Sequence, residues 1–439
     1  MANTKKVQDK VAIVTGGASG IGEATVLAFA ENGARGVVIA DIQDEKGQKL
    51  AESIGANRST YIHCDVTDEN KSNPSWNLLF NSTASSTHHE LWSANYSRPR
   101  PGLIRQTVCN KRSWCCSMPE ARGACDGEGV KGSVICSSST AANLVASTVT
   151  DYIMAKCGVV ALMKCASYQL AYYTKSQLIP PEMANAKKVQ DKVAIVTGGA
   201  SGFGEATVLA FAENGARGVV IADIQDEKGQ KLAESIGTNR STYIHCDVTD
   251  ENQVKSLVDS TVQLYGQLDV IFCNAGVMSF GQQTVLDFDL GLLRQTVRSK
   301  RSWCSSMPEA RGACDGGRSI ICTASTAANL VASTVTDYIM AKCGVVALMK
   351  CASYQLGKHG IRVNCVSPGP VATPMVCEAN NMGVEELEKL FVSICCLKGV
   401  LKAKHIADAV LFLASTDSEF VTGQNLMVDG GYAFQGAVN

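Results

Sequence analysis

Short apolar runs alternate with amphipathic stretches through the second half of the chain. Residues 192–197 (KVAIVT) are mostly apolar and stop at a glycine cluster, the pattern of a strand buried on both faces. Residues 205–214 follow with helical spacing, and Gly215 closes them. Further strands are predicted at 218–223 (GVVIAD), 241–247 (STYIHCD), 268–274 (LDVIFCN), 319–324 and 361–367, with a last one opening at 426–428. Val254, Leu257, Val258, Val262 and Tyr265 share one face of a predicted helix, and 337–355 form another. Strands alternating with helices predict an α/β protein with a doubly wound parallel sheet of Rossmann type and right-handed crossovers.

The pattern occurs twice. Residues 183–251 repeat 1–69 and differ only at Thr4/Ala186, Ile21/Phe203 and Ala56/Thr238, while 139–170 recurs unchanged as 325–356. Solenoid repeats run roughly 20–50 residues, so a repeat this long signals a duplicated domain. One complete copy is expected over 183–439, long enough to bury a full core, preceded by an incomplete copy over 1–182. Met183 opens the second copy as Met1 opens the first, as if two coding units had been joined. In the first copy the apolar period stops after Asn70, and 71–133 are expected to be largely irregular. The Cys-Asn-Ala-Gly that ends the fourth strand of the second copy has no counterpart there, and the repeat is lost after Leu170.

Candidate chemistry gathers at the carboxyl ends of the predicted strands. Gly198, Ser201, Gly202, Phe203 and Gly204 lie in a glycine-rich turn between strand and helix, where the backbone can approach a pyrophosphate. Asp223 ends the next strand, placed to accept hydrogen bonds from an adenosine ribose and to repel a 2′-phosphate; this favours NAD over NADP. Asp247 and Val248, then Asn274, Ala275 and Gly276, end the third and fourth strands, where ligands of open sheets bind. Ser325, Tyr338 and Lys342 form Ser-x12-Tyr-x3-Lys, with Tyr338 and Lys342 four apart on one helix face. An unperturbed phenol, with a pKa of about 10, is a poor base at neutral pH, and a neighbouring ammonium would stabilise its phenolate. Ser325 could then hold a substrate oxygen near the phenol.

Composition narrows the partners. A net charge of −1 supplies no field for nucleic acid, and no apolar run reaches membrane-spanning length. Nineteen cysteines lack CxxC spacing, Cys115-Cys116 and Cys395-Cys396 are adjacent pairs, and His88-His89 has no partner ligands, so no metal site is expected. With no signal peptide ahead of the first strand, a cytoplasmic protein with reduced thiols is expected.

The motifs TGGASGFG (197–204), Asp223, CNAG (273–276), Ser325, YIMAK (338–342) and SPGPVATP (367–374) resemble the short-chain dehydrogenase/reductase family over nearly all of 187–439. Wording such as VVIADIQDEKGQKLAESIG is similar to plant NAD-dependent members acting on terpenoid and other secondary alcohols. The resemblance implies a small alcohol or ketone substrate, NAD as cofactor, and catalysis by Ser325, Tyr338 and Lys342. It implies that Tyr338, Lys342, Pro368, Gly369, Val371 and Thr373 border the nicotinamide, and that 374–401 form a mobile substrate loop. The family also places a catalytic Asn between the fourth and fifth strands, yet no Asn occurs between Asn274 and Asn329. The segment 292–318 lacks a helical apolar stripe, which interrupts the proton relay and the helix-to-helix face used for homo-oligomers.

Overall fold

A computed structural model of the protein describes residues 7–66, 90–94, 132–139, 159–160, 163, 187–276, 317–330 and 335–433. Its contacts divide the chain into two compact units, Met1–Asn185 and Ala186–Asn439.

In chain order the first unit contributes β1 (Val11–Thr15), α1 (Gly20–Glu31), β2 (Gly36–Asp41), α2 (Asp44–Ile54), β3 (Ser59–His63), β4 (Glu90–Ala94) and β5 (Gly132–Cys136). The second contributes β6 (Val193–Thr197), α3 (Gly202–Glu213), β7 (Gly218–Asp223), α4 (Asp226–Ile236), β8 (Ser241–His245), α5 (Glu251–Tyr265), β9 (Val270–Cys273) and β10 (Arg318–Thr323). It continues with α6 (Thr336–Leu356), β11 (Ile361–Pro368), α7 (Pro374–Asn380), α8 (Val384–Ser393), α9 (Ala403–Ala414) and β12 (Asn425–Val428).

The second unit is a Rossmann-type doubly wound sheet of seven parallel strands, in the order β12-β11-β10-β9-β6-β7-β8. Alternate side chains leave opposite faces of each strand. Ile195 of β6 packs with Val254, Leu257 and Val258 of α5 and with Val345 and Met349 of α6. Its neighbours Ala194 and Val196 pack with Val208 and Phe211 of α3 and with Ile406 and Val410 of α9. Both faces are covered, which is why GVVIAD is buried along its whole length instead of alternating. The sheet turns back at β6, which pairs with β7 on one side and β9 on the other. Chains leaving these neighbours in opposite directions open a crevice at the carboxyl ends.

Several boundaries differ from the apolar pattern for local reasons. α5 begins at Glu251, ahead of its apolar stripe, because the Asp250 carboxylate accepts from the N–H groups of Asn252 and Gln253. β8 stops at His245, and Asp247 turns the chain by accepting from Thr249 N at 2.9 Å. Residues 374–401, expected as a loop, carry α7 and α8; Pro374 starts α7 and Thr373 caps it.

Among the described residues the first unit holds five parallel strands in the order β3-β2-β1-β4-β5. The irregular segment expected over 71–133 is corrected at Glu90–Ala94, which pairs with both β1 and β5. That strand takes the position which CNAG ends in the second unit. Without it the backbone groups along one side of β1 would lack ladder partners. Val14, Val26, Val37 and Ile39 form one core face, and Ile13, Val38, Ala40 and Cys64 the other.

Candidate active site

The glycine-rich turn leaves β6 in a conformation that side chains would block. Gly198 and Gly202 take φ of +62° and +58°. A Cβ on Gly204 would sit 1.9 Å from Gly198 O, so only glycine lets α3 start this close to the turn. Ser201 is the N-cap of α3 but makes no side-chain cap hydrogen bond. Phe203, placed with the cofactor residues from sequence, packs partly into the core beneath α3.

Asp223, 6% exposed, is the polar anchor of the turn. One carboxylate oxygen accepts from Ala200 N at 2.9 Å, and the other accepts from Ile224 N at 2.8 Å and Gln225 N at 3.0 Å. The acid thus fixes the turn and the β7–α4 loop against each other at the end of the sheet. Beside it, Asp247 and Val248 leave β8, with Val248 packed against the α5 side of the core.

Asn274 holds three strands together. Its Nδ2 donates to Thr197 O at 3.1 Å and to Gly198 O at 3.3 Å, while its Oδ1 accepts from Thr323 Oγ1 at 3.1 Å. Thr197 Oγ1 accepts from Asn274 N at 2.9 Å and from Ala275 N at 3.0 Å. Gly276 follows, exposed at the lip. Thr197 and Thr323 were not singled out from sequence. A threonine in a strand is common, and nothing in the letters shows that its hydroxyl faces a neighbouring turn.

Ser325, Tyr338 and Lys342 come together from β10 and α6. Ser325 caps the short 3-10 helix Thr326–Asn329, and its Oγ accepts from Ala327 N at 3.1 Å. Its side chain also hydrogen-bonds Tyr338. The Lys342 ammonium lies 5.4 Å from the centroid of the Tyr338 ring and donates to Thr323 O at 3.1 Å. Burial pushes the Lys342 pKa down to about 8. Burial also raises the Tyr338 pKa, against a smaller lowering by Ser325. The phenol is therefore protonated in the free site at neutral pH. Val335, just before α6, takes φ of +62°, strained for a β-branched residue.

The SPG turn forms the opposite wall. Gly369 donates to Val428 O at 3.0 Å, and a Cβ there would meet Asp429 Cα at 2.7 Å. Pro368 O accepts from Thr326 Oγ1 at 3.2 Å. Val371 and Thr373 are buried, and a Cβ on Gly202 would come within 3.7 Å of Thr373 Cβ, so the turn after β11 meets the glycine-rich turn. The segment expected to carry the relay Asn and the dimer helix lies outside the described residues, as do Tyr152 and Lys156, the first-copy counterparts of Tyr338 and Lys342. Among the described residues no cluster of His, Cys, Asp or Glu could hold a metal ion, and no helix is long and apolar enough to cross a membrane.

This donor set fits a nicotinamide dinucleotide. A side-chain-free helix start can approach a pyrophosphate, a buried acid ends the neighbouring strand, and Tyr338 and Lys342 lie beyond the switch point.

Comparison with known proteins agrees with this geometry. The family described as Enoyl-(Acyl carrier protein) reductase matches residues 198–433, and the short chain dehydrogenase family matches 10–76. A (−)-isopiperitenol/(−)-carveol dehydrogenase of Mentha piperita is 52% identical over 254 residues, covering 57% of this chain and 96% of its own. A (+)-cis,trans-nepetalactol synthase of Nepeta racemosa is 48% identical over 57% of this chain and 96% of its own. A (+)-borneol dehydrogenase of Salvia officinalis is 42% identical, with the same coverages of 57% and 96%. The chain belongs to the short-chain dehydrogenase/reductase family.

Proposed function

We propose that residues 183–439 form an NAD(H)-dependent oxidoreductase interconverting a secondary alcohol and a ketone on a small apolar, terpenoid-like metabolite, with 1–182 an incomplete copy. The observation that carries this reading is the convergence of Ser325, Tyr338 and Lys342 at the carboxyl end of the sheet. Relatives named as dehydrogenases of isopiperitenol, carveol and borneol support the substrate class. Family membership alone does not choose the reaction, because a relative of similar identity is named a synthase.

Gly198, Ser201, Gly202, Phe203 and Gly204 would bind the pyrophosphate and Asp223 the adenosine ribose. Asp247, Val248, Asn274, Ala275 and Gly276 would line the adenosine side, and Pro368, Gly369, Val371 and Thr373 the nicotinamide. When bound, nicotinamide supplies the acceptor for the carbinol hydride. Ser325 orients the substrate oxygen toward the Tyr338 hydroxyl. Tyr338 accepts the alcohol proton in oxidation and returns it in ketone reduction, and the Lys342 ammonium stabilises the phenolate between these steps. Asp223 supports NAD over NADP, because a 2′-phosphate would meet a buried carboxylate. A cytoplasmic location is part of this proposal, although the peppermint relative is named mitochondrial.

A second reading is a protein that binds cofactor but turns over poorly. It is favoured by the lack of any Asn between Asn274 and Asn329. Incubating the protein with NAD and a panel of monoterpenoid secondary alcohols tests both. NADH formation abolished by Tyr338→Phe supports the first reading, and NAD binding without NADH formation supports the second.

A further inference from the structure

The start of α6 is held by a residue other than its N-cap. Val335 occupies the N-cap position, offers no side-chain acceptor and makes no cap hydrogen bond. The first N–H groups of a helix have no carbonyl partner within it, and an N-cap side chain ordinarily serves the second or third of them. The third in α6 belongs to Tyr338, the group read as moving the substrate proton. Asp337 serves it instead: its Oδ1 accepts from Tyr338 N at 2.7 Å. Ile339 N donates to Val335 O at 3.1 Å and closes the turn. Val335 pays for this geometry with its φ of +62°, and such strain persists only where the surroundings fix it.

Packing alone does not call for an acid here. Asp337, Ala341, Val345 and Met349 follow at four-residue steps and are buried along one face of α6. Val345 and Met349 pack in the core between α6 and the sheet. An acid in the first turn of a helix is ordinary when solvated, but Asp337 is 0% exposed. Burying a carboxylate is costly unless hydrogen bonds and favourable charge compensate it, and a small apolar residue would head the stripe without that cost. The carboxylate contributes an acceptor fixed beside the Tyr338 backbone. Three constraints therefore meet at this tyrosine. Ser325 hydrogen-bonds its side chain, the Lys342 ammonium lies 5.4 Å from its ring centroid, and Asp337 holds the backbone from which the ring projects.

We propose that Asp337 is a positioning residue for the oxidoreductase reaction. By holding the Tyr338 N–H it sets the first turn of α6 and aims the phenol at the point where Ser325 presents the substrate oxygen. It acts through Tyr338 and takes no proton itself. The proposal rests on the reading of Tyr338 as the acid–base group and adds a residue outside the set of Ser325, Tyr338 and Lys342.

The test is steady-state oxidation of monoterpenoid secondary alcohols, carveol and borneol among them, by the full-length chain and its variants. NAD-binding sites are counted by fluorescence titration, and rates are expressed per site. Asp337→Ala is expected to lower kcat roughly 10- to 100-fold, the scale of a displacement of about 1 Å at a reacting group. KM and NAD affinity should stay within about twofold. Asp337→Asn keeps an oxygen acceptor without the charge and should restore kcat to within about fivefold of the unmodified chain. A residue that only stabilised the fold would change the number of NAD-binding sites and the melting temperature, not the rate per site. Asp151→Ala, at the matching position of the first copy, should change nothing. Unchanged kcat per site in Asp337→Ala, equal losses in the Ala and Asn variants, or loss of NAD binding along with activity in both would overturn the positioning role while leaving the reading of Tyr338 intact. Activity that survives Tyr338→Phe, or no NADH formation by the unmodified chain with any of these alcohols, would overturn both.

Discussion

The Lys342 ammonium stands 5.4 Å from the centroid of the Tyr338 ring and donates a hydrogen bond to Thr323 O at 3.1 Å. The lysine is thus anchored to β10 by a hydrogen bond that does not involve the tyrosine. Burial works on the two groups in opposite directions, raising the phenol and lowering the ammonium, so titrations that nearly coincide in the free side chains move apart.

Replacing Tyr338 by Phe should remove about 10²–10⁴-fold of any dehydrogenase activity, the usual contribution of a general acid–base group. NAD affinity should stay within about twofold, because the phenol meets the substrate oxygen and not the nucleotide phosphates. The same change at Tyr152, which lies outside the described residues, should have little effect. Steady-state kinetics together with fluorescence titration would show it. Equal damage from Tyr152→Phe would place the working site in the wrong copy.

Alcohol oxidation should rise with pH while ketone reduction holds steady through neutrality. The Tyr338 pKa is raised, so the proton needed for reduction is fully present at neutral pH and is lost only in alkaline solution. Lys342 loses its charge as pH climbs through about 8, which should bend the oxidation limb over. In Lys342→Arg the charge persists, so that bend should move to higher pH if the variant remains active. A pH profile of kcat/KM in both directions would check the sign.

Gly204→Ala should abolish nucleotide binding and lower the melting temperature, since its Cβ would fall 1.9 Å from Gly198 O. The equivalent Gly22→Ala meets Gly16 O at the same 1.9 Å but should spare nucleotide binding by the second unit. Thermal melts with and without NAD would separate the two outcomes.

Asp223→Asn should weaken NAD and relax the discrimination against NADP. The loss has two sources: the ribose acceptor and the carboxylate that now receives Ala200, Ile224 and Gln225 N–H. A hydrogen bond to a charged group contributes about 1.5–3 kcal/mol, so the variant should also melt earlier. An unchanged affinity ratio would overturn the assignment of Asp223 as the ribose-reading acid.

Deleting residues 1–182 should leave a folded protein that binds NAD. The core from Ile195 to Val410 is built within Ala186–Asn439, and both faces of its sheet are covered from that segment. Loss of folding in the truncation would show that the first unit supplies structure to the second.

The letters of this chain were enough to show the repeat, the succession of strands in the second copy, and the candidate residues at the strand ends. Each depends on local pattern: apolar runs where both faces of a strand are buried, glycine where φ must be positive, and a four-residue step that puts Tyr338 and Lys342 on one helix face. Only the tertiary structure decided how distant segments meet. It put a strand at Glu90–Ala94, where no period is visible, because β1 needed a ladder partner on that side. It turned 374–401 into two helices, one capped by Thr373. It brought Thr197 and Thr323 to Asn274, and Tyr243 and His245 to Asp226, from separate strands. A hydroxyl or imidazole shows its partner only once the sheet is folded, because hydrogen bonds depend on direction and distance in space, and sequence spacing across a parallel crossover encodes neither.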